Sequence, residues 1–196
     1  MLKQLEWFKT ILNNKKLVTH LKEIKLIVAD VDGSLTDGTV HYNDHGEADR
    51  AYSPQDGFAM RMAMEQGIQV AVLSGNAGAS ITSRAKKLKV ADELTILGSL
   101  DKTSAIASLQ QKTNILPEHT LLFGDDYLDA EVKIKMPKIF FAMPNNGIFY
   151  LQPLADCVTP LNAGPESALR LLLDLILYIQ GKHFAQDLIT SVLAKG

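Results

Sequence analysis

The sequence predicts an α/β fold in which a Rossmann-like parallel sheet carries helices on both faces. Short runs of branched apolar residues alternate with longer amphipathic stretches, which is the pattern of a parallel sheet covered on both sides. Polar residues directly follow several of these runs, among them Asp30, Ser74 and Asp125. Because ligands bind beyond the carboxyl ends of the strands in such sheets, these residues form the candidate site.

The N-terminal third contains a helix, a strand and an insertion. Residues 2–20 predict a helix, and we assign residues 1–22 to an N-terminal helical extension. The first strand covers residues 25–31 and opens a domain that we place at residues 23–180. Two β-prone runs around a turn-rich centre predict a β-hairpin insertion over about residues 39–52, and this short hairpin stands in place of a cap domain.

The rest of the domain predicts alternating helices and strands, followed by a tail. The last clear helix, at 166–180, has leucines on more than one face, which predicts burial on two sides. Residues 181–196 form a weakly helical C-terminal tail. The other predicted elements are a loop at 54–57, helices at 58–66, 77–88, 103–112 and from 124–129 onward, and strands at 68–73, 94–97, 120–123, 139–142 and 157–159.

Composition sets limits on where the protein acts and on what it binds. The chain has 196 residues, of which 46% are hydrophobic, enough for one large domain or for a domain with a small appendage. A net charge of -2 predicts neither nucleic-acid nor membrane-surface binding. No apolar run is long enough to span a bilayer, and no signal-peptide pattern opens the chain. A single cysteine, Cys157, excludes an internal disulfide, so we expect a cytoplasmic location.

Asp30 and Asp32 follow the first strand and carry the main chemical signal. Two carboxylates this close repel each other unless a cation or a shared proton lies between them, and Mg²⁺ is a common remedy. For phosphoryl transfer, Asp30 would attack phosphorus and form an aspartyl phosphate. Asp32 would protonate the leaving group and then deprotonate the attacking water.

The later strand ends supply the other groups that this chemistry needs. The hydroxyl of Ser74 and the backbone N–H of Gly75, at a predicted helix start, suit a phosphate oxygen. Lys102 adds a cation. Asp125 completes an Mg²⁺ site of oxygen ligands, and we expect Asp126 or Asp129 to contact these ligands rather than the ion itself. Each signal alone is typical of an ordinary turn, cap or surface lysine, but together they favour phosphoryl transfer.

Four motifs, taken in chain order, resemble those of the haloacid dehalogenase (HAD) superfamily of phosphohydrolases. They are D-x-D-G-x-L-T-D-G at 30–38, S-G at 74–75, D-K at 101–102 and G-D-D-x-x-D at 124–129. More narrowly, the sequence resembles the 3-deoxy-D-manno-octulosonate 8-phosphate phosphatase family over residues 25–180. The resemblance implies Mg²⁺ bound by the Asp30 carboxylate, the Asp32 backbone carbonyl and Asp125. It also implies a homotetramer in which each hairpin covers a neighbour's active site.

The resemblance also implies a set of substrate contacts, and the sequence departs from the family pattern at two places. Asn76 stands where the family has an arginine, and the loop 162–166 lacks the arginine found there in the family. The loss of cations that bind a sugar-acid carboxylate changes recognition strongly. The substrate-contact set comprises Asp32, Ser53, Pro54, Gln55, Asp56, Gly57, Arg61, Gly75, Asn76, Arg84 and Lys102.

Three other interpretations remain open at this point. The same chemistry could act on a nine-carbon sugar-acid phosphate or on another small phosphoester. A signalling receiver domain also collects acids, a hydroxyl and a lysine at strand ends, although here the second acidic cluster follows the lysine. A non-catalytic, oligomeric binding module on the same fold is the third interpretation.

Overall fold

A computed structural model describes residues 2–44, 46 and 48–195. Among these residues, no helix is long and apolar enough to cross a membrane. The strands are Leu26–Ala29 (β1), His41–Tyr42 (β2), Ala48–Asp49 (β3), Gln69–Ser74 (β4), Thr95–Leu97 (β5), Thr120–Phe123 (β6), Phe140–Met143 (β7) and Cys157–Val158 (β8). The helices are Leu2–Asn13 (α1), Lys15–Lys22 (α2), Pro54–Glu65 (α3), Ala79–Leu88 (α4), Lys102–Thr113 (α5), Tyr127–Lys135 (α6), Ala168–Ile179 (α7) and Gln186–Lys195 (α8).

Six of these strands form one parallel sheet in the order β5-β4-β1-β6-β7-β8, which confirms the predicted α/β fold. The central strand β1 is buried along its whole length. Its last residue, Ala29, pairs with Val72 of β4 and with Phe123 of β6. The carboxyl ends of these three strands therefore lie side by side.

Helices cover both faces of the sheet, so its strands read as continuous apolar runs rather than alternating ones. Alternate residues of β1 point to opposite cores: Ile27 and Ala29 belong to one, Leu26 and Val28 to the other. The first core includes side chains from α1, α2, α3, α4 and α7, and the second includes side chains from α5 and α6. As predicted, α7 is buried on more than one side.

The N-terminal segment differs from the single helix predicted at residues 2–20. It forms two helices, because Asn14 leaves the helical conformation and its side chain accepts a hydrogen bond from the Leu17 N–H at 3.2 Å. Such a cap satisfies a backbone donor at the start of α2. Phe8 and Ile11 of α1 pack into the core beside α7.

The hairpin and the segment after it also refine the prediction. The strands β2 and β3 pair antiparallel but are only two residues long each, and residues 45 and 47 of the turn lie outside the described residues. The loop predicted at 54–57 is wrong, because α3 begins at Pro54. Ser53 caps this helix, and proline is well tolerated in its first turn. The predicted C-terminal tail contains the helix α8.

Candidate active site

Asp30 stands at the end of the central strand, in line with its neighbours. Its backbone N–H donates to the Phe123 carbonyl at 2.9 Å, which extends the pairing between β1 and β6 by one residue. The following turn is closed by Thr36, whose hydroxyl accepts from the N–H groups of Gly33 and Gly38. This arrangement fixes the first acidic loop beside the acidic loop that follows β6.

Gly33 permits the close approach of these two loops. Its φ of +89° lies in the region that favours glycine. A Cβ at this position would stand 2.1 Å from an oxygen of Asp125, closer than any two such atoms can approach. The Asp125 carboxylate also accepts a hydrogen bond from the Ser34 hydroxyl at 2.9 Å. Ser34 lies inside the quoted motif, but the sequence alone did not identify it as a site residue.

Lys102 lies between two buried carboxylates. Its Nζ donates to Oδ1 of Asp30 and to Oδ1 of Asp129, both at 2.7 Å. Carboxylate oxygens of Asp30, Asp125 and Asp129 lie within 4.8 Å of one another. Three carboxyl groups thus share one ammonium among these residues.

Burial raises the pKa of each of the three carboxyls. The pKa of Asp30 lies well above its ordinary value, because burial and repulsion by Asp129 raise it more than Lys102 lowers it. Burial raises the pKa of Asp125 to about 6, and that of Asp129 rises for the same reason although Lys102 opposes it. The pKa of Lys102 is raised, because the attraction of Asp129 and Asp30 outweighs the effect of burial. A buried cluster of three carboxyl groups with a single ammonium fits a hard divalent cation such as Mg²⁺.

Asp32 is held by two donors outside this cluster. Arg50, the residue after β3, donates from Nε to Oδ1 at 2.5 Å and from Nη2 to Oδ2 at 3.1 Å. The Asn76 side-chain amide donates to Oδ2 at 2.6 Å. Burial alone would raise the pKa of Asp32, but the hydrogen bonds from Arg50 and Asn76 outweigh it and lower that pKa.

Sequence reasoning missed Arg50. The sequence does place an arginine directly after the second strand of the predicted hairpin. It does not show where the hairpin lies relative to Asp32. A cavity of about 370 Å³ opens beside Arg50 and Asn76. Its lining residues are Tyr42, Gly46, Asp49, Arg50, Asn76, Gly78, Ala79 and Ser80.

The turn after β4 connects the predicted phosphate-binding groups to Asp32. Ser74 is buried, and its hydroxyl accepts the backbone N–H of Asn76 at 3.0 Å. Gly75 lies between them, and Gly78 caps α4 without a side-chain hydrogen bond. The structure therefore places Ser74, Gly75 and Asn76 in one tight turn beside Asp32.

The two supporting acids predicted at 124–129 have different surroundings. Asp126 is exposed and caps α6, accepting the Tyr127 N–H. Asp129 is fully buried and contacts Lys102. A Cβ on Gly124 would lie 2.2 Å from Cγ of Asp129, so glycine makes room for this carboxylate. Of the two acids, Asp129 lies in the site, whereas Asp126 shapes the helix that carries it.

A second group of the predicted substrate contacts lies where α3 meets α4 and α7. Ser53 caps α3 and its hydroxyl contacts that of Ser167 at 2.6 Å. Arg84 donates to the Ser53 carbonyl at 2.7 Å, and Gly57 leaves room for the Arg84 guanidinium. Asp56 is buried and accepts the backbone N–H of Arg170 at 2.7 Å.

The remaining predicted contacts lie at the surface. Pro54 and Gln55 are exposed in the first turn of α3. Arg61 is exposed farther along the same helix, 3.8 Å from Glu65. Across the described part of the chain, none of these three side chains hydrogen-bonds to Asp30 or Asp32. The structure thus brings together the aspartates, Lys102 and the turn after β4, but not the whole predicted substrate-contact set.

Strand order and the acids at the sheet's carboxyl edge define the class, a phosphohydrolase of the HAD superfamily. A solved structure of a putative HAD superfamily (subfamily III A) hydrolase from Legionella pneumophila is similar, with a TM-score of 0.81 and 28% identity over 96% of this chain and 98% of that one. A crystal structure of 3-deoxy-D-manno-octulosonate 8-phosphate phosphatase from Moraxella catarrhalis, in complex with magnesium, phosphate and KDO, gives a TM-score of 0.79 and 30% identity over 90% of this chain and 97% of that one.

Sequence comparison narrows the class further. No family model matches the chain. The 3-deoxy-D-manno-octulosonate 8-phosphate phosphatase of Haemophilus influenzae is 35% identical over 180 residues, which span 90% of this chain and 97% of that protein. The enzyme of the same name from Escherichia coli strain K12 is 31% identical over 85% of this chain and 86% of its own length. The chain belongs to the 3-deoxy-D-manno-octulosonate 8-phosphate phosphatase family.

Proposed function

We propose that this protein is a Mg²⁺-dependent phosphomonoester hydrolase that acts through an aspartyl phosphate on Asp30. The observation that carries the proposal is the buried cluster in which Lys102 contacts Asp30 and Asp129 while Asp125 lies within 4.8 Å. A structural domain gains nothing from burying three carboxyl groups around one lysine, because burying ionisable groups that outnumber their partners is costly. The magnesium and phosphate named for the Moraxella catarrhalis relative support the same function.

The residues that would hold Mg²⁺ are Asp30 and Asp125 through their carboxylates and Asp32 through its backbone carbonyl. Bound there, the ion would supply the missing positive charge and offset the charge of the substrate phosphate. Lys102 would hold Asp30 in place and contribute a second cation beside the phosphate. Asp129 would keep Lys102 oriented from the opposite side.

In this mechanism, hydrolysis takes two steps. In the first, a carboxylate oxygen of Asp30 forms a bond to phosphorus while the bond from phosphorus to the ester oxygen breaks, and Asp32, which takes up a proton as the negative charge of the substrate phosphate arrives beside it, gives that proton to the ester oxygen. In the second, water attacks phosphorus, Asp32 takes the proton of the water, and the Asp30 carboxylate leaves. Ser74 and the Gly75 N–H bind phosphate oxygens during both steps.

The proposed substrate is a sugar-acid phosphate such as 3-deoxy-D-manno-octulosonate 8-phosphate, which the names of the relatives support. Asn76 and the loop 162–166 lack the family's arginines, so a nine-carbon sugar-acid phosphate or another small phosphoester is the alternative. We also propose a cytoplasmic homotetramer in which each hairpin covers a neighbour's site. In that assembly, exposed members of the predicted substrate-contact set, such as Gln55 and Arg61, would act beside a neighbouring hairpin.

The test is phosphate release from 3-deoxy-D-manno-octulosonate 8-phosphate and from a panel of simpler esters, with Mg²⁺ and with a chelator. Fast release that requires Mg²⁺ and is lost in Asp30→Asn supports the proposal, because this variant keeps the shape and removes the nucleophilic charge. Release mainly from other esters keeps the mechanism and changes the substrate. Substantial activity in Asp30→Asn contradicts the aspartyl phosphate, and no release from any ester favours a non-catalytic binding module.

A further inference from the structure

Arg50 joins the hairpin to the acid/base residue of the catalytic loop. Its side chain is only 2% exposed, although it comes from a small two-stranded appendage. Two nitrogens of its guanidinium contact the two oxygens of Asp32, at 2.5 and 3.1 Å. A two-point contact between a planar guanidinium and a carboxylate sets orientation as well as distance.

The other donor to Asp32 cannot provide this orientation alone. Asn76 contacts only Oδ2, so by itself it would leave the carboxylate able to rotate about that single contact. Arg50 also has its Nη1 close to the turn after β4, since a Cβ on Gly78 would lie 3.2 Å from it. The guanidinium is therefore packed between the two loops that carry Asp32 and Asn76.

We propose that Arg50 is a positioning residue that holds the Asp32 carboxyl toward the ester oxygen of the substrate. This inference rests on the proposed function, in which Asp32 transfers the proton. The cavity on the other side of Arg50 is lined also by Tyr42, Asp49 and Ser80, so the guanidinium stands between this open space and the Asp32 carboxylate. The hairpin thus contributes to catalysis within its own chain, through a residue that contacts Asp32 rather than the reacting atoms.

Dependence on the leaving group distinguishes positioning of Asp32 from general support of the fold. An alkyl ester needs a proton on its departing oxygen, whereas p-nitrophenolate departs without one. We compare Arg50→Gln with wild type on the best alkyl ester of the phosphate-release panel and on the first-turnover burst of p-nitrophenyl phosphate. The expected result is a fall in kcat of at least about 10-fold on the alkyl ester, with the burst rate changed by less than about 3-fold.

Three further variants sharpen the test. Arg50→Lys keeps the charge but lacks the planar two-point contact, so it should recover only part of the lost kcat. In an Asp32→Asn background, Arg50→Gln should cause no further loss, because Arg50 acts through Asp32. Arg170→Gln is the matched control, since Arg170 also contacts an aspartate, Asp174, at 2.5 Å but lies on α7. Arg170→Gln should leave the ratio between kcat on the alkyl ester and the burst rate on p-nitrophenyl phosphate unchanged.

The outcomes separate this inference from the function on which it rests. If Arg50→Gln lowers the rate equally on both esters, or lowers it further in the Asp32→Asn background, Arg50 does not position Asp32. Either result leaves the phosphatase function itself intact. No Mg²⁺-dependent hydrolysis by the wild type, or full activity in Asp30→Asn, would overturn the proposed function itself.

Discussion

The buried carboxyl of Asp56 should make the protein less stable as the pH rises toward neutral. Its carboxyl is 2% exposed and accepts the Arg170 N–H through Oδ1, which caps α7 from a different helix, while Oδ2 is buried without a hydrogen-bond partner in the described structure. Burial raises its pKa from 3.8 to about 7. We expect Asp56→Asn to remove this ionisation while keeping an acceptor for the Arg170 N–H.

Proton linkage gives the direction and the size of the change in the free energy of unfolding with pH. Between pH 4 and pH 7 the unfolded chain has lost the Asp56 proton while the folded chain keeps it, so the free energy of unfolding falls as pH rises through this range. A difference of about 3 pKa units corresponds to about 4 kcal/mol in total. About 2 kcal/mol of that falls between about pH 5.5 and about pH 8, a range accessible to equilibrium measurement.

Urea unfolding of wild type and Asp56→Asn at these two pH values measures the effect. The variant should gain about 2 kcal/mol relative to wild type on going from the lower to the higher pH, because other titrating groups are common to both proteins. Asp92→Asn, which changes an exposed carboxylate in a short turn, is the matched control and should follow wild type. A constant difference between Asp56→Asn and wild type at both pH values would refute this account of the buried carboxyl.

Three other predictions concern the charge cluster. Lys102→Met leaves Asp30 and Asp129 without their shared ammonium, so we expect activity to be lost. Urea unfolding in the presence of a chelator should show a free energy of unfolding about 3 kcal/mol lower than that of the wild type. Gly33→Ala should lower kcat/KM by at least about 10-fold, since its Cβ would displace the Asp125 carboxylate; unchanged kinetics would contradict the crowding. With the pKa of Asp125 near 6, protons compete with Mg²⁺ in acid, so calorimetry should show a weaker Mg²⁺ affinity at about pH 5.5 than at about pH 7.5.

The candidate site was largely predictable because the sheet is parallel. Asp30, Asp125 and the Ser74 turn follow three buried strands, and in such a sheet those ends meet at one edge. The order β4-β1-β6 within the sheet makes them neighbours, as the pairing of Ala29 shows. The prediction needed only local patterns and one rule about parallel strands.

Features outside this rule could not be read from the sequence. Arg50 contacts Asp32, which lies 18 positions earlier in the chain, and no local pattern encodes this contact. The sequence predicts Asp56 as a polar loop residue, yet it lies in the first turn of α3 and accepts the Arg170 N–H at the start of α7. Both are tertiary contacts of polar side chains, and neither hydrophobic periodicity nor turn chemistry specifies such partners.

The bond between Trp7 and Val158 links the beginning of the chain to its last sheet strand. The indole N–H of Trp7 donates to the Val158 carbonyl at 2.8 Å, and Gln180 similarly donates to the carbonyls of Leu21 and Ile24. During synthesis, α1 and α2 emerge well before their partners, because these hydrogen bonds join residues some 150 positions apart. Trp7 is the only tryptophan of the chain, so its fluorescence reports the docking of α1 against β8.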